Sequence, residues 1–252
     1  MTNDKLRNTV KKLRHHKYSG VDEIVGIEPK NRYGKISKKL VQQNTALYVD
    51  TNSQKEDEEI INSIKTLESL HAFMSEYKKC ELHKSANNMV FSDGNPNSKI
   101  MLIGEAPGHD EDIQGKPFVG RSGKLLDKML NAIELSRDKV YIANIIPWRP
   151  PNNRRPTDNE INMCLPMIKK HIEIINPSAI LLLGSTATYA LIKNSEGITK
   201  IRGKWVDIEI NGKKYPMLPT FHPAFLLRQP AQKKFSWEDL KNLKSRVKNE
   251  LG

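Results

Sequence analysis

The sequence predicts an α/β protein, a three-layer α/β/α sandwich with a mainly parallel central sheet. Three observations predict it. First, residues 99–104, 140–146 and 179–184 are short runs, apolar apart from Lys99 at the start of the first and Asn144 within the second. Apolar runs without polar alternation mark strands buried on both faces, as in a parallel sheet covered by helices. Second, segments of helical spacing separate these runs, and alternating strands and helices build layered α/β domains. Third, Asn211-Gly212 lies between the strand-like stretches 205–210 and 215–218, a strong hairpin signal.

The remaining elements follow in chain order. Ile60, Ile61, Ile64, Leu67, Leu70, Phe73 and Met74 recur at helical spacing and predict one helix ahead of the first strand. A second helix runs from Ser122 towards Ile133. Thr157 and Glu160 form a capping box. The helix they open carries Ile161, Cys164, Leu165, Ile168 and Ile172 and stops before Pro177. Residues 185–192 form a short helix, and Ser236 and Asp239 cap a final basic helix to Leu251. No internal repeat is present.

Composition bounds the function. The chain has 252 residues, with 41 Lys/Arg against 29 Asp/Glu and a net charge of +12. Such a balance favours a polyanionic partner such as nucleic acid or an anionic membrane surface, against the plain reading of a basic solvated surface. Residues 1–50 hold 11 Lys/Arg against 5 Asp/Glu, and the other 202 residues hold 30 against 24, so half the excess sits in a fifth of the chain. With little apolar periodicity there, residues 1–55 read as a flexible basic arm and residues 56–252 as the catalytic domain. Two distant cysteines, Cys80 and Cys164, exclude a disulfide framework and fit a reducing compartment. No apolar run approaches the roughly 20 residues of a membrane helix, and the basic N-terminus lacks a secretory apolar core. The expectation is a soluble cytoplasmic protein.

Chemistry-bearing residues cluster where the strands end, which is where open parallel sheets place their sites. The first strand runs into Gly104-Glu105-Ala106-Pro107-Gly108, then Glu111 and Phe118. The second reaches Asn144 and the proline-bounded stretch Arg149 to Arg155. The hairpin strand ends at His222-Pro223-Ala224. Each residue alone has an ordinary reading: Phe118 as core, Asn144 as a turn residue, His222 as a bonded loop histidine, and Glu105 and Glu111 as solvated or capping groups. Together they could stack on a planar ligand, read its edge and stabilise negative charge.

The ordered motifs GEAPGHDEDIQGKPFVGRSGKLLDKML, VYIANIIPWRPPNNRRPTDNEINMCLPMI, LLLGSTATYALI, IRGKW and PTFHPAFLLR resemble the family-4 uracil-DNA glycosylases over about residues 73–251. The resemblance implies a uracil-DNA glycosylase-like fold and an enzyme of base excision repair, acting on uracil-containing DNA as a monomer near the nucleoid. It implies that Phe118 stacks on flipped uracil, that Asn144 reads its edge, and that His222 sits beside O2. Glu105 and Glu111 match acidic positions near the attacking water, and Gly104, Ala106 and Gly108 let the backbone approach the base. Ala106 stands where the best-known uracil glycosylases carry a catalytic aspartate, and family 4 commonly has a small residue there.

DNA contact is expected from Arg149, Asn152, Asn153, Arg154 and Arg155, from Arg202 in the RG element, and from Arg228. Leu226 is expected to fill the gap left by the extruded base. No lysine nucleophile is placed for lyase chemistry, so a monofunctional glycosylase is expected. The segment from Gly120 to Lys124 lacks the insertion with which some relatives trap DNA.

One departure stands out. The family typically holds a 4Fe–4S cluster on four cysteines. Here Cys80 and Cys164 keep two of those positions, and Tyr77 and Trp148 occupy the others. Two thiolates do not supply four ligands, so the cluster is expected to be lost, with the two aromatics filling its volume. Two alternatives stay open from sequence: a catalytically silent DNA- or lesion-binding module on the same fold, and a glycosylase for another deaminated base.

Overall fold

The computed structural model describes residues 51–193 and 196–248, with side chains from Glu56 onward. The expected basic arm lies almost wholly outside the described residues. Among the described residues, no helix is long and apolar enough to cross a membrane.

Six strands form one sheet: β1 (Asp93–Gly94), β2 (Ile100–Gly104), β3 (Tyr141–Asn144), β4 (Ala179–Leu183), β5 (Val206–Ile210) and β6 (Lys213–Thr220). Their spatial order is β1-β3-β2-β4-β6-β5. The four central strands are parallel, and the two edges, β1 and β5, pair antiparallel. Every residue of β2, β3 and β4 is buried. Met101, Ile103, Ile180 and Leu182 face one apolar cluster, whereas Ile100, Leu102, Leu181 and Leu183 face the other. This alternation into two cores is why the strands read as continuously apolar.

The helices are α1 (Thr51–Ser63), α2 (Leu67–Glu76), α3 (His109–Gln114), α4 (Arg121–Asn131), α5 (Asp158–Ile175), α6 (Ser185–Ile192), α7 (Ile198–Ile201), α8 (Pro223–Arg228) and α9 (Lys233–Val247). Residues of α1, α2, α5 and α6 cover one face of the sheet, and those of α4, α8 and α9 cover the other. The three-layer α/β/α prediction therefore holds.

The capping box also holds: Thr157 Oγ1 accepts the Glu160 N–H at 3.2 Å, and Glu160 Oε2 accepts the Thr157 N–H at 2.8 Å. So does the hairpin, where Asn211 (φ 47°) and Gly212 (φ 78°) both take the left-handed conformation of a type I′ turn.

Two expectations change. The helix foreseen over residues 60–74 is two helices, because Thr66 leaves the helical conformation and its hydroxyl caps α2 by accepting the Ser69 N–H. The last helix begins at Lys233 rather than being capped by Ser236 and Asp239. Those two side chains are buried against the end of β6, where Thr220 Oγ1 lies 3.3 Å from Ser236 Oγ and donates to Asp239 at 2.7 Å.

Candidate active site

The sheet register brings the functional strand ends together. Gly104 pairs with Asn144 across β2 and β3, and Leu183 pairs with Thr220 across β4 and β6. Above these ends lies a cavity of about 690 Å³ lined by Glu105, Gly108, Phe118, Asn144 and His222 among others. It opens at the carboxyl edge of the parallel strands, where such folds bind ligands.

Gly104 has no room for a side chain. A Cβ there would lie 2.4 Å from Asn144 Oδ1 and 2.5 Å from Phe118 Cζ. The glycine thus lets an amide and an aromatic ring converge on the strand end. Asn144 is buried, and its Oδ1 has no hydrogen-bond partner. Leaving a buried acceptor unpaired costs about 1–3 kcal/mol, so this atom is poised for a donor brought by a ligand.

Phe118 is buried, with φ at +55°. Its ring lies 5.6 Å from the His222 ring, centroid to centroid, at an interplanar angle of 32°. His222 is the N-cap of α8, and its Nδ1 accepts the Ala224 N–H at 3.1 Å. Gly184, at φ +94°, makes space for it, since a Cβ there would meet His222 Cβ at 2.8 Å. Burial, reinforced by the charge of Arg228, pushes the imidazole pKa down to about 4. The ring is therefore neutral near pH 7, and with Nδ1 accepting, the proton sits on Nε2 as a donor.

The two glutamates separate in role. Glu105 is half-buried at the cavity, and its Oε2 accepts the buried Thr186 hydroxyl at 2.5 Å. Glu111 instead spends both oxygens on the backbone. Oε2 accepts Gly108 N–H at 3.2 Å, while Oε1 accepts Val119 N–H at 3.0 Å and Gly120 N–H at 2.9 Å. It ties the loop after β2 to the loop that carries Phe118.

Comparison with known families matches residues 91–243 to the uracil DNA glycosylase superfamily. The chain belongs to that superfamily. It is 45% identical over 172 residues to a Type-4 uracil-DNA glycosylase of Saccharolobus solfataricus, covering 66% of this chain and 80% of the relative. It is 41% identical over 192 residues to the Type-4 enzyme of Thermotoga maritima, covering 73% and 98%. A Type-4 relative from Sulfurisphaera tokodaii is 40% identical over 184 residues, covering 71% and 84%.

Basic side chains surround the cavity. Asn153, Arg154, Arg155 and Arg228 are exposed and line its mouth. Arg154 holds Glu160 through two bonds of 2.9 and 2.6 Å. Arg149 donates to Asn153 Oδ1 at 2.7 Å and meets His109 Nδ1 at 3.2 Å, so it braces the proline-bounded loop against α3.

Arg202 and Leu226 do not line the cavity. Arg202 does not face the cavity mouth. Its guanidinium is bound by the buried Asp239 and the Phe235 carbonyl, and it packs over the Phe221 and Phe235 rings. Leu226 is buried in the core, whereas the adjacent Leu227 is 37% exposed. One helical residue turns a side chain by about 100°, which the apolar spelling FLL does not reveal. Sequence reasoning also missed Thr186. It is distant in sequence from Glu105, and no local pattern links them.

The four positions of the implied cluster do converge. Tyr77, Cys80, Trp148 and Cys164 are buried in one apolar cluster. The Tyr77 and Trp148 rings are stacked, 6.4 Å apart at 13°. The thiols of Cys80 and Cys164 hydrogen-bond to each other: this bond lowers the Cys80 pKa and, with burial, raises that of Cys164. Two sulfurs beside a stacked aromatic pair do not fit a cluster that needs four ligands.

Proposed function

We propose that the protein is a monofunctional uracil-DNA glycosylase that extrudes uracil from DNA and hydrolyses its N-glycosidic bond, leaving an abasic site. The observation that carries this reading is the unpartnered, buried Asn144 Oδ1 at the strand end, beside a stacking ring and a neutral histidine. Uracil N3–H would satisfy that oxygen, while the Asn144 amide N–H would donate to O4. Cytosine presents the opposite pattern and would leave buried groups unpaired.

Bond cleavage leaves a sugar cation and a uracil anion. His222 Nε2–H is the donor for charge collecting on O2, and a fixed donor in a dry site is worth more than one in water. Glu105, held by Thr186, orients water towards the sugar and favours the cation. Glu111 acts by shaping the loops around the base rather than by touching water. Gly104, Ala106 and Gly108 keep the strand end narrow enough for the base to approach. Extrusion costs a few kcal/mol. Leu227, rather than Leu226, would fill the vacated stack. Arg149, Asn153, Arg154, Arg155 and Arg228 would grip the strand on either side, and the basic residues of the N-terminal arm would add salt-sensitive, sequence-blind affinity. The protein would work as a monomer on DNA at the nucleoid. No cluster chemistry enters the reaction, and we propose that the 4Fe–4S cluster is absent.

The test is incubation with uracil-containing single- and double-stranded oligonucleotides followed by alkali. Breaks at uracil alone are expected. Tight, salt-sensitive binding without breaks at high enzyme would refute the enzymatic reading, and preferential breakage at hypoxanthine or xanthine would refute the choice of base.

A further inference from the structure

We infer that Arg137 is a positioning residue for the reaction, holding Phe118 in the backbone conformation that aims its ring at the base; the inference rests on the stacking role proposed for Phe118. Arg137 lies outside the cavity, in the single turn Arg137–Lys139 between α4 and β3. Its side chain nevertheless reaches across to the loop that carries Phe118. Nη1 donates to the Pro117 carbonyl at 3.1 Å, and Nη2 donates to the Phe118 carbonyl. The guanidinium is itself fixed from behind. Nε donates to Asp127 Oδ1 at 2.8 Å, and Nη1 to Asp93 Oδ2 at 2.8 Å. One planar cation thus joins the edge strand β1, helix α4 and two consecutive carbonyls of the aromatic's loop.

Those carbonyls need a reason to stay where they are. Phe118 has φ at +55°, a left-handed conformation that costs a bulky residue about 1–3 kcal/mol and persists only when its surroundings over-determine it. Three groups do so here. Glu111 accepts the N–H of Val119, the residue that follows. Gly123 leaves the space into which the Phe118 carbonyl turns, since a Cβ there would lie 1.7 Å from that oxygen. Arg137 then binds the same oxygen. Released from Arg137, Phe118 can relax towards negative φ, which swings its ring away from His222 and Gly104. Lysine would not replace the arginine, because a single ammonium does not present the planar fork that serves two carbonyls and two carboxylates at once.

The experiment is a double-mutant cycle on the full chain, using Arg137→Met, Phe118→Ala and the pair. It reads single-turnover excision, inhibition by free uracil and affinity for abasic DNA. Each single variant is expected to slow excision and weaken uracil inhibition by about 10-fold or more, as misplacement of a positioning group does. Affinity for abasic DNA should stay within about 2-fold, and the pair should be no slower than Phe118→Ala alone. Arg137→Lys should resemble Arg137→Met. Multiplying effects, a wild-type-like Arg137→Met, or an equal loss of abasic-DNA affinity would overturn the inference while leaving the stacking role of Phe118 intact. A wild-type-like Phe118→Ala would overturn the stacking role, and the inference with it. Should Arg137→Met fail to fold, Asp127→Ala removes only the Nε partner. A smaller loss that vanishes in the Phe118→Ala background supports the inference, and its absence refutes it.

Discussion

His222 Nδ1 accepts the backbone N–H of Ala224 at 3.1 Å. This one bond fixes the tautomer, and burial with Arg228 lowers the pKa from 6.5 to about 4. Between those values the folded ring binds fewer protons than the unfolded one. Its contribution to stability is therefore complete above pH 6.5 and falls as pH drops through that window towards about 4. Excision should show no inflection near 6.5 and should fail on an acid limb approaching 4, where protonation of Nδ1 breaks the bond to Ala224. A pH–rate profile with an inflection at 6.5 that disappears in His222→Asn would contradict this assignment.

Asn144 separates function from stability. Its Oδ1 is buried without a partner, so removing it relieves an existing cost. Asn144→Ala is expected to lower the single-turnover rate by about 100-fold or more, in line with the loss of a preorganised polar contact. Its melting temperature should match or exceed that of the wild type. A variant that melts well below wild type would show that the side chain serves the fold.

The two glutamates should fail differently. Glu105→Gln keeps shape and loses charge beside the cavity, so excision should drop with little change in melting temperature. Glu111→Ala strands the N–H groups of Gly108, Val119 and Gly120. The Gly120 N–H is buried and the other two are half-buried, so at about 1–3 kcal/mol for a buried group left unsatisfied the substitution should destabilise the protein measurably as well as slow it. Thermal melts paired with single-turnover rates separate the two, and equal melting of both variants would refute the division of roles.

The strand-end residues were legible in sequence because Gly104 closes the apolar run of β2, Asn144 interrupts the apolar run of β3, and His222 follows the hairpin strand β6, so strand position and chemistry are spelled together. The α1–α2 break was not, since Ile64 and Leu67 keep helical spacing across the Thr66 cap. The partners of Arg202 were not legible for a related reason: Asp239 and the Phe235 carbonyl come from a helix more than thirty residues away. Thr186 and Arg137 carry no local signature because their roles exist only after the sheet forms.

Leu226 and Leu227 test the same limit one residue apart. Leu226 is buried, and truncation of a packed leucine costs about 2–5 kcal/mol. Leu227 is exposed beside Arg121 and Arg228, on the surface proposed to meet DNA. Leu227→Ala should melt like wild type but lose activity on duplex substrates far more than on single strands, where no stack needs filling. Leu226→Ala should lower the melting temperature and affect both substrates alike. An identical loss on both substrates in Leu227→Ala would remove it as the wedge.

The stacked pair Tyr77 and Trp148 bears on how the protein is held together where the family resemblance implies a cluster. The rings lie 6.4 Å apart beside Cys80 and Cys164, all within one apolar core. Aromatic pairs contribute about 0.5–1.5 kcal/mol beyond the area they bury, so this packing can stabilise the loops without metal. Protein purified anaerobically should contain no stoichiometric iron or sulfide, and iron chelators should leave its melting temperature unchanged. Trp148→Ala should destabilise it by about 3–5 kcal/mol, as loss of a large buried ring does. Four irons per chain with broad visible absorbance would overturn this account, and so would a melting temperature that falls on chelation.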